Sequence, residues 1–259
     1  MAGDTKVGEG AAGDTVQLRI RRQDGPGQPQ YWQEFAIPYQ PKLNVISCLM
    51  AIQRRPVDAG GGRTAPVAWD SNCLEEVCGA CSMIVNGRVQ QSCTALVDKL
   101  ARPIVLEPMR KFPVVRDLIV DRRRMFEALK QVRAWIPIDG THAIGPGPKM
   151  AAHEAAEAYD FARCMTCGCC MEACPQYGPQ SDFIGPAPLG QVRLFNSHPT
   201  GAMNAEERLH AIMGKGGIVD CGNAQNCVKA CPKLIPLTKA IGELGRATSR
   251  LWVKDLLGV

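Results

Sequence analysis

The thirteen cysteines constrain this chain more than any other feature of its 259 residues. They fall in three tight groups: five between Cys48 and Cys93, five between Cys164 and Cys174, and three between Cys221 and Cys231. An odd count with C-x2-C spacing argues against a secreted disulfide framework and for thiolates that bind metal. The N-terminus is polar and rich in Gly and Ala, without the apolar core of a signal peptide. Arg21-Arg22 is followed by Gln23-Asp24-Gly25, so a twin-arginine export signal is not expected. No apolar run approaches the roughly 20 residues that span a membrane. The expected location is the cytoplasm, or the cytoplasmic face of the cell membrane as a peripheral protein.

The first group has the spacing of a plant-type ferredoxin, Cys73-x4-Cys78-x2-Cys81 and then Cys93, which predicts a [2Fe–2S] cluster. Two irons that share two sulfides need four thiolates on a compact diamond. Gly79 and Ala80 lack bulk, so the backbone between Cys78 and Cys81 can approach the cluster and offer N–H groups to its sulfurs. Four cysteines also hold zinc; the x4–x2 spacing on a β-rich segment favours iron–sulfur. Cys48 lies on the apolar face of a predicted helix and reads as a buried structural thiol.

The second group, Cys164-x2-Cys167-x2-Cys170-x3-Cys174-Pro175, is the bacterial ferredoxin run, in which the fourth cysteine serves the other cluster. Cys221-x5-Cys227-x3-Cys231-Pro232 is the same run with Ala224 in place of one cysteine. The cross-over rule assigns Cys164, Cys167, Cys170 and Cys231 to a [4Fe–4S] cluster. Cys174, Cys221 and Cys227 remain, three thiolates only, and a cubane corner facing Ala224 has no ligand. The expectation is a [3Fe–4S] cluster. Cys169 is a spare thiol; as a ligand in place of Cys170 it would break the x2–x2–x3 spacing.

The organisation around these groups predicts an α+β chain. Residues 1–14 read as a disordered tail. Residues 16–22 alternate apolar and polar like a half-buried strand, and 31–39 read as its hairpin partner. Residues 43–54 have helical spacing, Asn86-Gly87 joins two short strands at 82–85 and 88–91, and 103–106 reads as a last strand. This predicts an N-terminal β-grasp domain over 15–112. Helical periodicity from residue 114, a Gly/Pro-rich connector at 138–148, and helices at 151–163, 205–213 and 235–251 predict an all-α domain over 113–259. The net charge of +5 is small and scattered, which argues against a nucleic-acid partner. The four histidines are dispersed, and no Ser/His/Asp set or phosphate loop supports substrate chemistry. A free multi-cluster carrier and a structural zinc protein are the competing classes.

A plant-type [2Fe–2S] domain followed by a helical domain with crossed Cys-Pro runs resembles the iron–sulfur subunits of the succinate:quinone oxidoreductase family, succinate dehydrogenase and fumarate reductase. Cys78-Gly79-Ala80-Cys81, Val115-Arg116-Asp117-Leu118, Phe183-Ile184-Gly185-Pro186, Asn226-Cys227 and Cys231-Pro232-Lys233 carry the resemblance. It implies a flavoprotein (FAD) subunit that handles the dicarboxylate and a relay through [2Fe–2S], [4Fe–4S] and [3Fe–4S] clusters. It also implies a membrane anchor that presents quinone near the last cluster. Succinate oxidation is the first expectation and fumarate reduction the runner-up. Ubiquinone-linked members have tryptophan soon after the Cys-Pro pair and histidine after the first cysteine of the last run. Here the positions read Pro175, Gln176, Tyr177 and Gly222. The pattern is similar to the menaquinone-linked branch with a di-haem b anchor, and makes these four residues candidates for the quinone side.

Overall fold

The computed structural model describes residues 14–136 and 149–258. The chain forms two compact units, Met1–Asp121 and Arg122–Val259. The expected tail lies outside the described residues except for Asp14, whose carbonyl accepts from Tyr39 N at 2.8 Å. The 138–148 connector also lies outside them.

The first unit is a mixed sheet covered by one helix. β1 (Thr15–Arg22) points Val16, Leu18 and Ile20 inward, and its period-two pattern places them on one face. It pairs antiparallel with β2 (Tyr31–Pro38), Leu18 opposite Phe35. α1 (Val45–Arg54) buries Val45, Ile46, Cys48, Leu49 and Ile52 against that face. Its N-cap Asn44 accepts from Ser47 N at 2.8 Å and donates to Cys93 O at 2.9 Å, so the helix start is tied to a site cysteine. β3 (Ser82–Val85) and β4 (Arg88–Gln91) form the hairpin turned by Asn86 (φ 48) and Gly87 (φ 78), both left-handed as a type I′ turn requires. β5 (Ile104–Glu107) runs parallel to β1 and antiparallel to β3, which gives the order β2-β1-β5-β3-β4. This is the expected β-grasp arrangement.

The unit then continues past residue 112. β6 (Val114–Arg116) and β7 (Ile119–Val120) form a small hairpin where helical periodicity was expected. The reason lies in Asp117, a left-handed turn residue (φ 47) with no solvent exposure. Its carboxylate accepts from Arg22 Nε at 2.8 Å, Gln23 N at 3.1 Å and Ala68 N at 2.8 Å. These bonds pin the turn to β1 and to the segment leading to Cys73. The helix starts only at α2 (Arg123–Gln131).

The second unit is helical: α2, α3 (Ala152–Ala162), α4 (Cys169–Glu172), α5 (Pro186–Ser197), α6 (Ala205–Met213), α7 (Asn226–Lys229) and α8 (Leu237–Leu257). α8 buries Leu237, Ala240, Leu244, Thr248 and Leu251, one stripe at helical spacing. α5 packs on α3, α6 and α8. Gly190 permits the close approach, since a Cβ there would stand 2.8 Å from Leu237 Cδ2. Arg193 of α5 binds Glu157 of α3 and Glu243 of α8. Arg124 of α2 donates to the carbonyls of Gly178, Ser181 and Phe183, holding the segment that follows Cys174-Pro175.

Candidate iron–sulfur centres

The loop from Cys73 to Cys81 is wound by left-handed residues at Leu74 (φ 61), Glu76 (φ 57) and Gly79 (φ 72). Alternation of this kind turns successive N–H groups toward one side. Glu75 N and Val77 N each lie 3.4 Å from Cys73 Sγ, and Ala80 N lies 3.4 Å from Cys78 Sγ. The two N–H groups on Cys73 hold its thiol down to about 7. Cys93 is pushed up to about 11 by burial and by a hydrogen bond shared with Cys81. Cys73 and Cys78 are linked in the same way, so the four thiols gather at one end of the sheet. Ser92, between Gln91 and Cys93, is wholly buried, and its Oγ has no hydrogen-bond partner among the described residues. An orphan donor beside four thiols suits a cluster whose sulfurs accept hydrogen bonds.

In the second unit the thiols line two cavities. Cys164, Cys167, Cys170 and Cys231 line one. Cys174, Cys221 and Cys227 line the other, with Ala224 in its wall. Thus the last cysteine of each run faces the cavity of the other run. The two runs are also conformational copies. Thr166 (φ 49) and Gly168 (φ 84) precede α4, as Asn223 (φ 49) and Gln225 (φ 60) precede α7. In this alignment Ala224 stands where Cys167 stands. Burial raises the thiol pKa of Cys164, Cys170 and Cys227. For Cys167 a hydrogen bond that its thiol gives to Cys169 raises it first and burial second.

Cys169 is fully buried beside Cys167 and is not among the residues lining the cavity of Cys164, Cys167, Cys170 and Cys231. Cys48 sits in the first unit's core, where burial pushes its thiol up to about 12. Pro175, Gln176 and Gly222 line the cavity of Cys174, Cys221 and Cys227. Gln176 lies across Gly222, where a Cβ would meet its Nε2 at 2.5 Å. Tyr177 does not join them. It is 3% exposed, its ring lies 4.7 Å from the Arg124 guanidinium, and it packs against Gly185.

In a zinc site four thiolates close on one ion at about 2.3 Å. Thiols that line a hollow without closing on one point suit a multi-atom inorganic core instead. Among the described residues no set of three His, Cys, Asp or Glu closes on a single-ion site.

Two family models match the chain. A 2Fe-2S iron–sulfur cluster binding domain covers residues 17–127, and a 4Fe-4S dicluster domain covers 160–235. The succinate dehydrogenase iron–sulfur subunit of Bacillus subtilis is 59% identical over 94% of this chain and 96% of its own length. The fumarate reductase iron–sulfur subunit of Wolinella succinogenes is 30% identical over 83% of this chain and 89% of its own. A solved chain of the Mycobacterium smegmatis Sdh1 complex in the apo form superimposes with a TM-score of 0.76, covering 92% of this chain and 96% of that one. At 21% identity that likeness speaks for the fold alone. Two cluster-binding domains in this order, with relatives that match most of the chain, leave one conclusion: the chain belongs to the family of succinate dehydrogenase and fumarate reductase iron–sulfur subunits.

Proposed function

We propose that this chain is the electron relay of a succinate dehydrogenase, carrying single electrons from a flavoprotein subunit to membrane quinone. Cys73, Cys78, Cys81 and Cys93 hold the [2Fe–2S] cluster. Cys164, Cys167, Cys170 and Cys231 hold the [4Fe–4S] cluster, and Cys174, Cys221 and Cys227 the [3Fe–4S] cluster. The observation that carries the reading is the exchange between runs, with Cys231 in the cavity of the first run and Cys174 in that of the second. When bound, such clusters supply reversible one-electron chemistry without moving protons or heavy atoms far. The chain's own part is to fix their places, exclude water with buried thiols, and set potentials through N–H donors. Ala224 offers a methyl group where a fourth thiolate would stand, which leaves the last cluster one iron short.

The partners in this reading are an FAD subunit and a membrane anchor of the di-haem b type, with the chain peripheral on the cytoplasmic face. Among the described residues no helix is long and apolar enough to cross a membrane. The acceptor is menaquinone. At the cavity lined by Cys174, Gln176 lies across Gly222 beside Pro175 and offers a carboxamide donor to a quinone carbonyl. The test is the complex purified through a tag on this chain. Co-purification of a flavoprotein, about nine irons per chain and a [3Fe–4S] resonance in the oxidised state are expected. Faster turnover with naphthoquinone than with benzoquinone analogues is expected as well. Iron without a flavoprotein would make the chain a free carrier, and preference for benzoquinones would overturn the menaquinone assignment.

A further inference from the structure

The Cys81 side of the first thiol group abuts a buried polar chain. Cys81 Sγ donates to Gln91 Oε1 at 3.4 Å. Gln91 Nε2 donates to Ser82 Oγ at 2.7 Å, and Ser82 Oγ donates to Gly79 O at 2.9 Å. Gln91 is 0% exposed, and Ser82 and Cys81 are each 3% exposed. Strand register builds the contact, because Ser82 and Gln91 are directly opposed across the β3–β4 ladder. The first follows Cys81 in sequence, and the second lies just before Ser92 and Cys93.

This order of donors suits a protonated thiol. A thiolate bound to iron has no proton to give, and a carboxamide oxygen at its flank would repel it. Turning the Gln91 carboxamide about its last bond exchanges the two ends. Nε2 then faces the Cys81 sulfur and Oε1 faces Ser82 Oγ. The Ser82 hydroxyl rotates to donate to Oε1 instead of to Gly79 O. Sulfur now has a donor and the carboxamide oxygen keeps one, with no strand displaced.

We propose that Gln91 sets the reduction potential of the first cluster by donating an N–H to the Cys81 sulfur, and that Ser82 fixes the carboxamide in that orientation. The inference rests on the reading that Cys73, Cys78, Cys81 and Cys93 hold a [2Fe–2S] cluster. Reduction adds negative charge that spreads onto the ligating sulfurs, so an N–H aimed at one of them favours the reduced form. In a site without water that preference is poorly screened. Donors to sulfur are among the features that tune iron–sulfur potentials. If Gln91 and Ser82 served only to satisfy each other within a buried ladder, their replacement would change stability and leave the potential alone.

The experiment is a redox titration of the two-iron resonance in the intact complex, for the wild type, Gln91→Met and Ser82→Ala. Gln91→Met keeps the length of the side chain and removes the donor. It is expected to weaken reduction about tenfold, a downward shift of ~59 mV for a one-electron couple. Ser82→Ala is expected to shift the midpoint the same way by less, while the other clusters keep their potentials. Two-iron resonances of wild-type intensity with unmoved midpoints in both variants would overturn the proposal. If Gln91→Met fails to assemble, Ser82→Ala decides alone, and an unmoved midpoint there overturns it. Absence of a two-iron resonance from the wild type would instead overturn the cluster assignment itself.

Discussion

Arg22 and Asp117 are both wholly excluded from water, and each is satisfied many times over. Besides Asp117, the guanidinium binds Gln33 Oε1 at 2.5 Å and the carbonyls of Ala65 and Pro66 at 3.2 Å. Removing one partner strands the other as an unpaired buried charge. Asp117→Ala is expected to cost about 3–5 kcal/mol, read from denaturant unfolding. Asp117→Asn, which keeps an acceptor oxygen, is expected to cost less. A quite different residue effect is expected at Ala224, whose place in the second run matches Cys167 in the first. Ala224→Cys supplies a fourth thiolate, so iron should rise to about ten per chain and the oxidised [3Fe–4S] resonance should vanish. Persistence of that resonance in a folded variant would mean that residue 224 does not face the open corner. Which cysteines line which of the two cavities was legible in the sequence because thiol spacing is a local property. Gln91, Ser92 and the Arg22–Asp117 pair were not. Their surroundings are set by strand register and by a turn that sits 95 residues along the chain from Arg22. Tyr177 was read as a quinone-side residue from its neighbours in sequence, and only packing under Arg124 turns it inward.

Elements with a plain period were the legible ones. β1 alternates, α6 is amphipathic, and Asn86-Gly87 names its own turn. α5 was not anticipated as a helix because it opens with Pro186-Ala187-Pro188, which reads as loop. Proline is nonetheless tolerated in a first turn, where the N–H has no intrahelical partner. Residues 114–120 failed in the opposite sense: apolar spacing suggested a helix, and three hydrogen bonds to one carboxylate made a hairpin. A further test at this scale concerns how β5 is held to β1. Glu107 at the end of β5 binds Arg21 of β1 at 3.0 Å and Arg110 at 2.5 Å. Burial alone would raise its carboxyl, but the Arg110 and Arg21 guanidiniums outweigh burial and hold it below its ordinary value. A depressed carboxylate stabilises the fold above the unfolded-state value, and that contribution is lost as pH falls through the folded-state value. Glu107→Gln is therefore expected to lose about 1 kcal/mol at neutral pH, a modest figure because both arginines are partly solvated. The gap to wild type should narrow in unfolding curves taken at progressively lower pH below about 4. A constant gap would show that the ion pairs contribute nothing.

At the scale of the whole molecule the two units are built on different principles. In the first, Val16, Leu18, Ile20, Phe35, Leu49, Ile104 and Leu106 belong to one continuous apolar core that also takes in Cys81 and Cys93, while Cys73 and Cys78 are only part-buried. In the second, α5 and α8 bury a helical core, but α4 and α7 are single turns of four residues each. Helices so short have no stability of their own. They border the two cavities, where seven thiols converge. Metal–thiolate bonds of this kind are folding free energy as much as binding free energy. Removing iron with a chelator under reducing conditions is therefore expected to act unequally. Hydrogen exchange should accelerate sharply over residues 164–175 and 221–232, by a hundredfold or more, which corresponds to about 3 kcal/mol of lost local stability. β1, β5 and α1 should keep their protection, with only the 73–81 loop opening in the first unit. α5 and α8 should fall between the two, since their mutual packing does not depend on a cluster. Uniform loss of protection through both units would mean that the chain folds as one cooperative body around its metals, and protected α4 and α7 in iron-free protein would mean that the polypeptide alone preorganises the cavities.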